Sequence, residues 1–221
     1  MAVKAFLFDF DGLLVETESA SRAGWEWLYE RHGQKLPPEK WQLLVGTVDG
    51  WDIWAHLESL AGPLDRETLN EERYAHELTL LEAEQLRPGI VEYLDYAQQH
   101  ALKRAIVSSA SRDWIDMHLT RLERTVGWDA IVTADHDKNR AKPQPALYLE
   151  VLDVLGVDAA DAVAFEDSPN GILAAKAAGI FVVAVPNAIT RDLDLDHADL
   201  QLESLADLPP DRLVARVASA A

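Results

Sequence analysis

The run Ala5-Phe6-Leu7-Phe8-Asp9-Phe10-Asp11-Gly12 decides how the rest of the chain is read. Four apolar residues in succession form a strand buried on both faces. The strand stops in two aspartates and a glycine. At the carboxyl end of a strand in an open α/β sheet, Asp9 and Asp11 lie on the edge where ligands bind. Side chains two apart in extended chain share a face, so the two carboxylates point the same way. That pairing invites a cation, or a division of labour between a nucleophile and an acid/base. A strand running into a turn has the same appearance, because Asp bonds its own backbone there. The segment alone does not separate these readings.

Working outward, residues 16–86 read almost entirely as helix. Glu16 to Arg31 carries Ala20, Ala23, Trp27 and Leu28 at helical spacing before Gly33. Further helices follow from Pro37-Pro38, from Trp51 to Leu60, and from Arg66 to about Gln85. After Arg87-Pro88-Gly89 the pattern alternates. Arg104–Ser109, Ala130–Ala134, Ala162–Phe165 and Phe181–Val185 read as strands, separated by helical stretches at 90–100, 113–122, 145–155 and 171–178. Such alternation predicts a parallel sheet with right-handed crossovers. The fold class is therefore α/β, with a Rossmann-like core at 1–15 and 87–221 and an inserted α-helical module at 16–86. Both junctions of the insert are expected near the first strand's carboxyl end, where the helices cover the aspartates.

Composition narrows the partners. The 221 residues carry a net charge of −18 and are 48% hydrophobic. An acidic surface disfavours nucleic acid and anionic membrane, which need clustered Lys and Arg. Cysteine is absent, excluding disulfides, a thiol nucleophile and Cys-based metal sites. With no secretory or spanning segment, a cytoplasmic protein is expected, acting as a monomer or weak homodimer.

Three more polar clusters sit at predicted strand ends or helix starts. Ser108-Ser109-Ala110-Ser111, followed by Arg112, offers small hydroxyls and free N–H groups to an anionic oxygen, or simply caps the next helix through Ser111 or Asp113. Lys142 lies between Ala141 and Pro143, where prolines fix the backbone. Glu166-Asp167 follows an apolar strand, as Asp9 does. Four acids, one hydroxyl and one lysine thus share a rim. Unit charges 4 Å apart repel by about 4 kcal/mol at an effective dielectric of about 20, so four converging carboxylates need a cation. An all-oxygen donor set selects a hard ion such as Mg²⁺.

These motifs, in this order, resemble the haloacid dehalogenase-like hydrolase superfamily, in its helical-cap branch that includes β-phosphoglucomutase-like phosphatases. The resemblance covers essentially the whole chain. It implies a Mg²⁺-dependent phosphatase of a small phosphorylated metabolite, a sugar phosphate among the candidates. Asp9 would be the nucleophile that becomes an aspartyl phosphate, and Asp11 the acid/base. Ser109, Ala110 and Lys142 would bind the phosphoryl oxygens. Mg²⁺ would be held by Asp9, the Asp11 carbonyl and Asp167, with Glu166 alongside or acting through water. Asp11 also argues against dehalogenation, which in the family pattern needs no acid two residues after the nucleophile. Where the mutases of this branch carry a histidine, this chain has Ser21. Where they carry Lys-Gly and an Arg, it has Val45-Gly46 and Asp49. A phosphosugar mutase is accordingly the alternative, followed by a non-catalytic binding protein on the same fold. Among the insert's tryptophans (Trp25, Trp27, Trp41, Trp51, Trp54), which read chiefly as filling a small helical core, Trp51 and Trp54 are the candidates for substrate contact, together with Arg112.

Overall fold

The computed structural model describes residues 2–41, 44 and 51–220. Six parallel strands form one sheet in the order β3-β2-β1-β4-β5-β6. They are β1 Ala5–Phe8, β2 Lys103–Ser108, β3 Ala130–Thr133, β4 Ala162–Glu166, β5 Phe181–Ala184 and β6 Leu200–Gln201. Register is regular across the centre, with Phe8 opposite Ile106 on one side and Phe165 on the other. The first three strands step outward in one direction from β1 and the last three in the other. The order therefore reverses between β1 and β4, and a crevice opens beyond their carboxyl ends.

Alternation along β1 assigns the two faces. Phe6 and Phe8 join Tyr93 of α5 (Ile90–Gln99), Ile115 of α6 (Arg112–Arg121) and Leu213 of α9 (Pro210–Ala220). Phe8 and Phe165 stack with centroids 4.8 Å apart. Ala5 and Leu7 face Leu147 and Val151 of α7 (Ala146–Leu155) and Ile172 and Ala175 of α8 (Pro169–Ala177). All four β1 side chains are fully buried, which is why the segment lacks the polar alternation of a half-exposed strand.

A third cluster, separate from both sheet faces, gathers Trp25, Leu28, Tyr29, Trp41, Ile53 and Leu57. It is built on α1 (Glu18–Arg31), α2 (Pro38–Trp41) and α3 (Ile53–Ala61), while α4 (Arg66–Leu81) packs along α1. The chain leaves the sheet region at Val15 and returns at Leu86, and these two residues pair as an antiparallel bridge. The Arg87 N–H donates to the Leu14 carbonyl at 2.9 Å. The return shortens the predicted helix, which ends at Leu81 rather than Gln85, because Leu86 must lie extended against Val15. Two elements were not read from the sequence: β6, only two residues long, and α9.

Candidate active site

The first loop is shaped by close approach. Gly12 has φ +76, and a Cβ there would lie 2.3 Å from Asp167 Oδ2 and 2.5 Å from Asn187 Nδ2. Glycine is needed for both the conformation and the space. The guanidinium of Arg87 then donates to the carbonyls of Gly12, Val185 (3.1 Å) and Pro186 (2.7 Å). One half-buried cation so ties the loop after β1 to the loop after β5.

On this frame the predicted polar residues largely converge. A cavity of about 200 Å³ is walled by Asp9, Asp11, Glu18, Ser109, Lys142 and Asp167, among others. The Lys142 ammonium donates to Asp9 Oδ1 at 2.5 Å and lies 2.6 Å from Glu166 Oε1. Burial opposes the Lys142 charge, but Asp9 and Glu166 override it and hold its pKa above the usual value. The Lys142–Pro143 peptide is cis. The Lys142 N–H donates to Ser109 Oγ at 3.1 Å, joining two of the sequence clusters. Ala110 also lines the cavity, while its N–H donates to Ser108 Oγ at 3.0 Å.

Glu166 is completely buried. Its Oε1 accepts the Tyr148 hydroxyl at 2.5 Å, and Oε2 has no hydrogen-bond partner. A Cβ on Gly171 would come within 1.8 Å of that oxygen, so α8 can pass this close only with glycine there. Burial, with Lys142 opposing and Asp9 adding, pushes the Glu166 carboxyl up to about 7. Burial, Asp9 and Glu18 push Asp167 well above the carboxylate range. Oxygen atoms of Asp9, Glu166 and Asp167 lie within 4.8 Å of one another. Crowded, buried and mutually repelling carboxylates are the donor set that fits a hard divalent cation.

Asp11 is held by groups the sequence reading passed over. The Thr17 hydroxyl and the Trp114 indole N–H both donate to Asp11 Oδ1 at 2.8 Å, and the Ser108 hydroxyl lies 3.5 Å from Oδ2. Burial and the Asp9 charge raise Asp11 to about 6 against the opposing effect of Trp114 and Thr17. Glu18 is raised to about 8 by burial and by Asp11. Asn187 donates to Asp167 Oδ2 at 2.7 Å. Thr17, Glu18 and Trp114 were hidden in ordinary helical sequence. Their one signal is proximity in sequence to Asp11 or to the serine cluster.

Beside Asp11 a narrow passage leads past Thr17, Glu18, Ser21 and Glu77. It adjoins a crevice of about 450 Å³ between α1, α4 and α6, walled by Trp25, Arg73, Tyr74, Glu77, Asp113 and Trp114. Arg73 is paired with Glu77 at 2.5 Å and lies over the Trp25 ring.

Three residues expected at the substrate are not among the described walls of the cavity or the crevice. Arg112 opens α6 and lies along its next turn, its Nε 2.9 Å from Asp116, and it is not among the residues that wall the cavity. Its neighbour Ser111 takes the capping role, accepting the Trp114 N–H at 3.3 Å. Trp51 packs on His56 and Trp54 edge-on against Trp25. Both are partly buried and pack against the third cluster, and among the insert's described tryptophans it is Trp25 that reaches the crevice. Val45, Gly46 and Asp49 lie outside the described residues.

The sequence pattern described as haloacid dehalogenase-like hydrolase matches residues 6–185. The chain belongs to this hydrolase family. Among its relatives is YhcW of Bacillus subtilis, provisionally named a phosphatase, which is 38% identical over 93% of this chain and 94% of its own. Validoxylamine A 7'-phosphate phosphatase of Streptomyces hygroscopicus subsp. limoneus is 34% identical over 93% and 95%. The crystal structure of CbbY from Rhodobacter sphaeroides in complex with phosphate superimposes with a TM-score of 0.75 at 28% identity, covering 93% of this chain and 96% of that one. With these relatives, the hydrolase is a phosphoric monoester hydrolase, and its acidic cluster suits a divalent metal ion. Among the described residues no helix is long and apolar enough to cross a membrane.

Proposed function

We propose that this hydrolase is a Mg²⁺-dependent phosphatase of a small, hydroxyl-rich phosphorylated metabolite such as a sugar phosphate, working through an aspartyl phosphate on Asp9. The observation that carries this is the pairing of two unlike carboxyls two residues apart. Asp9 is bonded to the Lys142 ammonium, while Asp11 is pushed up to about 6. Two acids in unlike surroundings can divide their roles. A carboxylate beside a lysine is an acceptor for an electrophilic phosphorus. A carboxyl that is partly protonated near neutrality can give a proton to a leaving oxygen.

In the first step an Asp9 oxygen bonds to phosphorus and the ester P–O bond breaks, the leaving oxygen taking the proton of Asp11. In the second, Asp11 accepts a proton from the attacking water and the Asp9–phosphorus bond breaks, releasing inorganic phosphate. Ser109 Oγ accepts from the Lys142 N–H, leaving its own hydrogen to donate to a phosphoryl oxygen. Lys142 neutralises charge on the same group. Asp9, Asp167 and the Asp11 carbonyl would hold Mg²⁺, with Glu166 behind them anchoring Lys142. The ion would supply charge neutralisation for the transferring phosphoryl group.

Residues 16–86 act on this reading as a cap whose α1 and α4 roof the site, and the crevice beside Asp11 takes the leaving group. Its walls favour hydroxyls. The only cation among its described lining residues, Arg73, is already paired with Glu77, and Ser21 bonds Glu77. Among the described lining residues no unpaired cation is left to receive the second phosphate a mutase must handle. A Mg²⁺-supplemented assay over a panel of sugar and polyol phosphates tests the proposal. Asp9→Asn is expected to lower turnover at least about a thousandfold. Turnover unchanged in that variant, or isomerised product formed faster than phosphate, overturns it.

A further inference from the structure

Asp11 is held from two directions. One donor, Thr17, is its neighbour in sequence. The other, Trp114, comes from the first turn of α6, 103 positions away. Both bond the same oxygen, Oδ1, at 2.8 Å, and Oδ2 meets only the Ser108 hydroxyl at 3.5 Å.

We propose that Trp114 is a positioning residue for Asp11, its indole N–H anchoring Oδ1 and so setting the orientation in which the carboxyl meets the leaving group. The inference rests on the acid/base role given to Asp11 above. Oδ1 already accepts two hydrogen bonds, which leaves Oδ2 as the oxygen with room for a further partner. An indole nitrogen donates and cannot accept, so its hold on Oδ1 keeps one polarity. Thr17 alone would not impose it, since a hydroxyl rotates and can either donate or accept. The Trp114 ring is itself fixed. Its N–H on the backbone is capped by Ser111 at 3.3 Å, and its ring stands edge-on to His118, with centroids 4.2 Å apart, and leans on Tyr74 of α4 at 5.9 Å. The same ring walls both the crevice and the passage to Asp11, so it aligns the acid at the point where a leaving group would enter. Small displacements of an aligned group cost large factors in rate.

The test is the dependence of kcat/KM on leaving-group basicity, from p-nitrophenyl phosphate to alkyl phosphates, for the Mg²⁺-supplemented wild type, Trp114→Phe and Asp11→Asn. kcat/KM reports steps up to transfer onto Asp9, and a good leaving group needs little protonation. Trp114→Phe is expected to lose about threefold with p-nitrophenyl phosphate and about 30-fold or more with alkyl phosphates, moving toward the steep dependence of Asp11→Asn. Should phenylalanine disturb the packing on His118 and Tyr74, benzothienylalanine at position 114 keeps the bicyclic ring without the N–H and gives the same readout. An equal loss for every leaving group, or no loss, while Asp11→Asn steepens the dependence, overturns the role of Trp114 alone. A flat dependence in Asp11→Asn overturns the acid/base reading, and this inference with it.

Discussion

Gly12, Asp11 and Glu18 show how much of this site is set by individual side chains and by what they exclude. Gly12 lets Asp167 and Asn187 close over the first loop, and that closure buries the acids. Burial has a consequence for stability. Asp11, Glu166 and Glu18 stand at about 6, about 7 and about 8, above their ordinary values of 3.8 to 4.5. A carboxyl raised on folding binds more protons in the native than in the unfolded state, so stability is highest at low pH and is lost as pH rises through the folded pKa. His118 acts oppositely. Burial, with Arg121, lowers it from 6.5 to about 4, so its contribution is present above 6.5 and lost as pH falls toward 4. With the carboxyls in the majority, the melting temperature of the metal-free protein should rise as pH is lowered from about 8.5 to about 7.5, a window in which His118 is mostly neutral in both states. Thermal melts in chelator follow this directly, and a fall over that interval would contradict it.

The elements explain which parts were legible in advance. β1 to β5 could be placed from apolar runs because each carries successive buried residues on both faces, and α7 and α8 from the Gly156 and Gly179 stops. β6 is two residues attached to the sheet edge, too short for any periodicity. Asp9, Asp11, Ser109, Lys142 and Asp167 were legible because they stand at strand ends or helix starts, where side-chain identity is unusual for the local structure. Trp114 and Tyr148 were not, because an aromatic on a helix face reads as packing, and only the fold brings each beside an acid. Arg112, Trp51 and Trp54 stand apart from the cavity walls for the converse reason. Chemistry-bearing side chains near a site still turn to the nearest partner, here Asp116, His56 and Trp25. Arg87 is the element-level tie, joining the insert's return to the loops after β1 and β5. Arg87→Ala leaves three carbonyls short of a donor in a mostly buried place. It should cost about 2–3 kcal/mol of stability, measurable as a lower urea midpoint.

At the scale of the whole molecule, the proposed function has a chain of net charge −18 bind an anionic substrate at one inward-facing lysine and a cluster of acids suited to a cation. The global field opposes what the site attracts. Screening that field shortens its reach to about 10 Å at 0.1 M salt. Raising NaCl from low concentration to about 0.15 M at fixed Mg²⁺ should therefore raise kcat/KM modestly, by about two- to threefold, where a basic phosphate-binding surface would show a fall. Steady-state rates across a salt series give the sign. The claim on which the rest depends is that phosphorus is handed first to Asp9 and then to water. Its most direct test is the stereochemical course at phosphorus, using a phosphate monoester made chiral with oxygen isotopes and a second acceptor alcohol in the Mg²⁺-supplemented reaction. Two successive in-line displacements require net retention of configuration; net inversion would mean a single direct transfer and would contradict a nucleophilic Asp9.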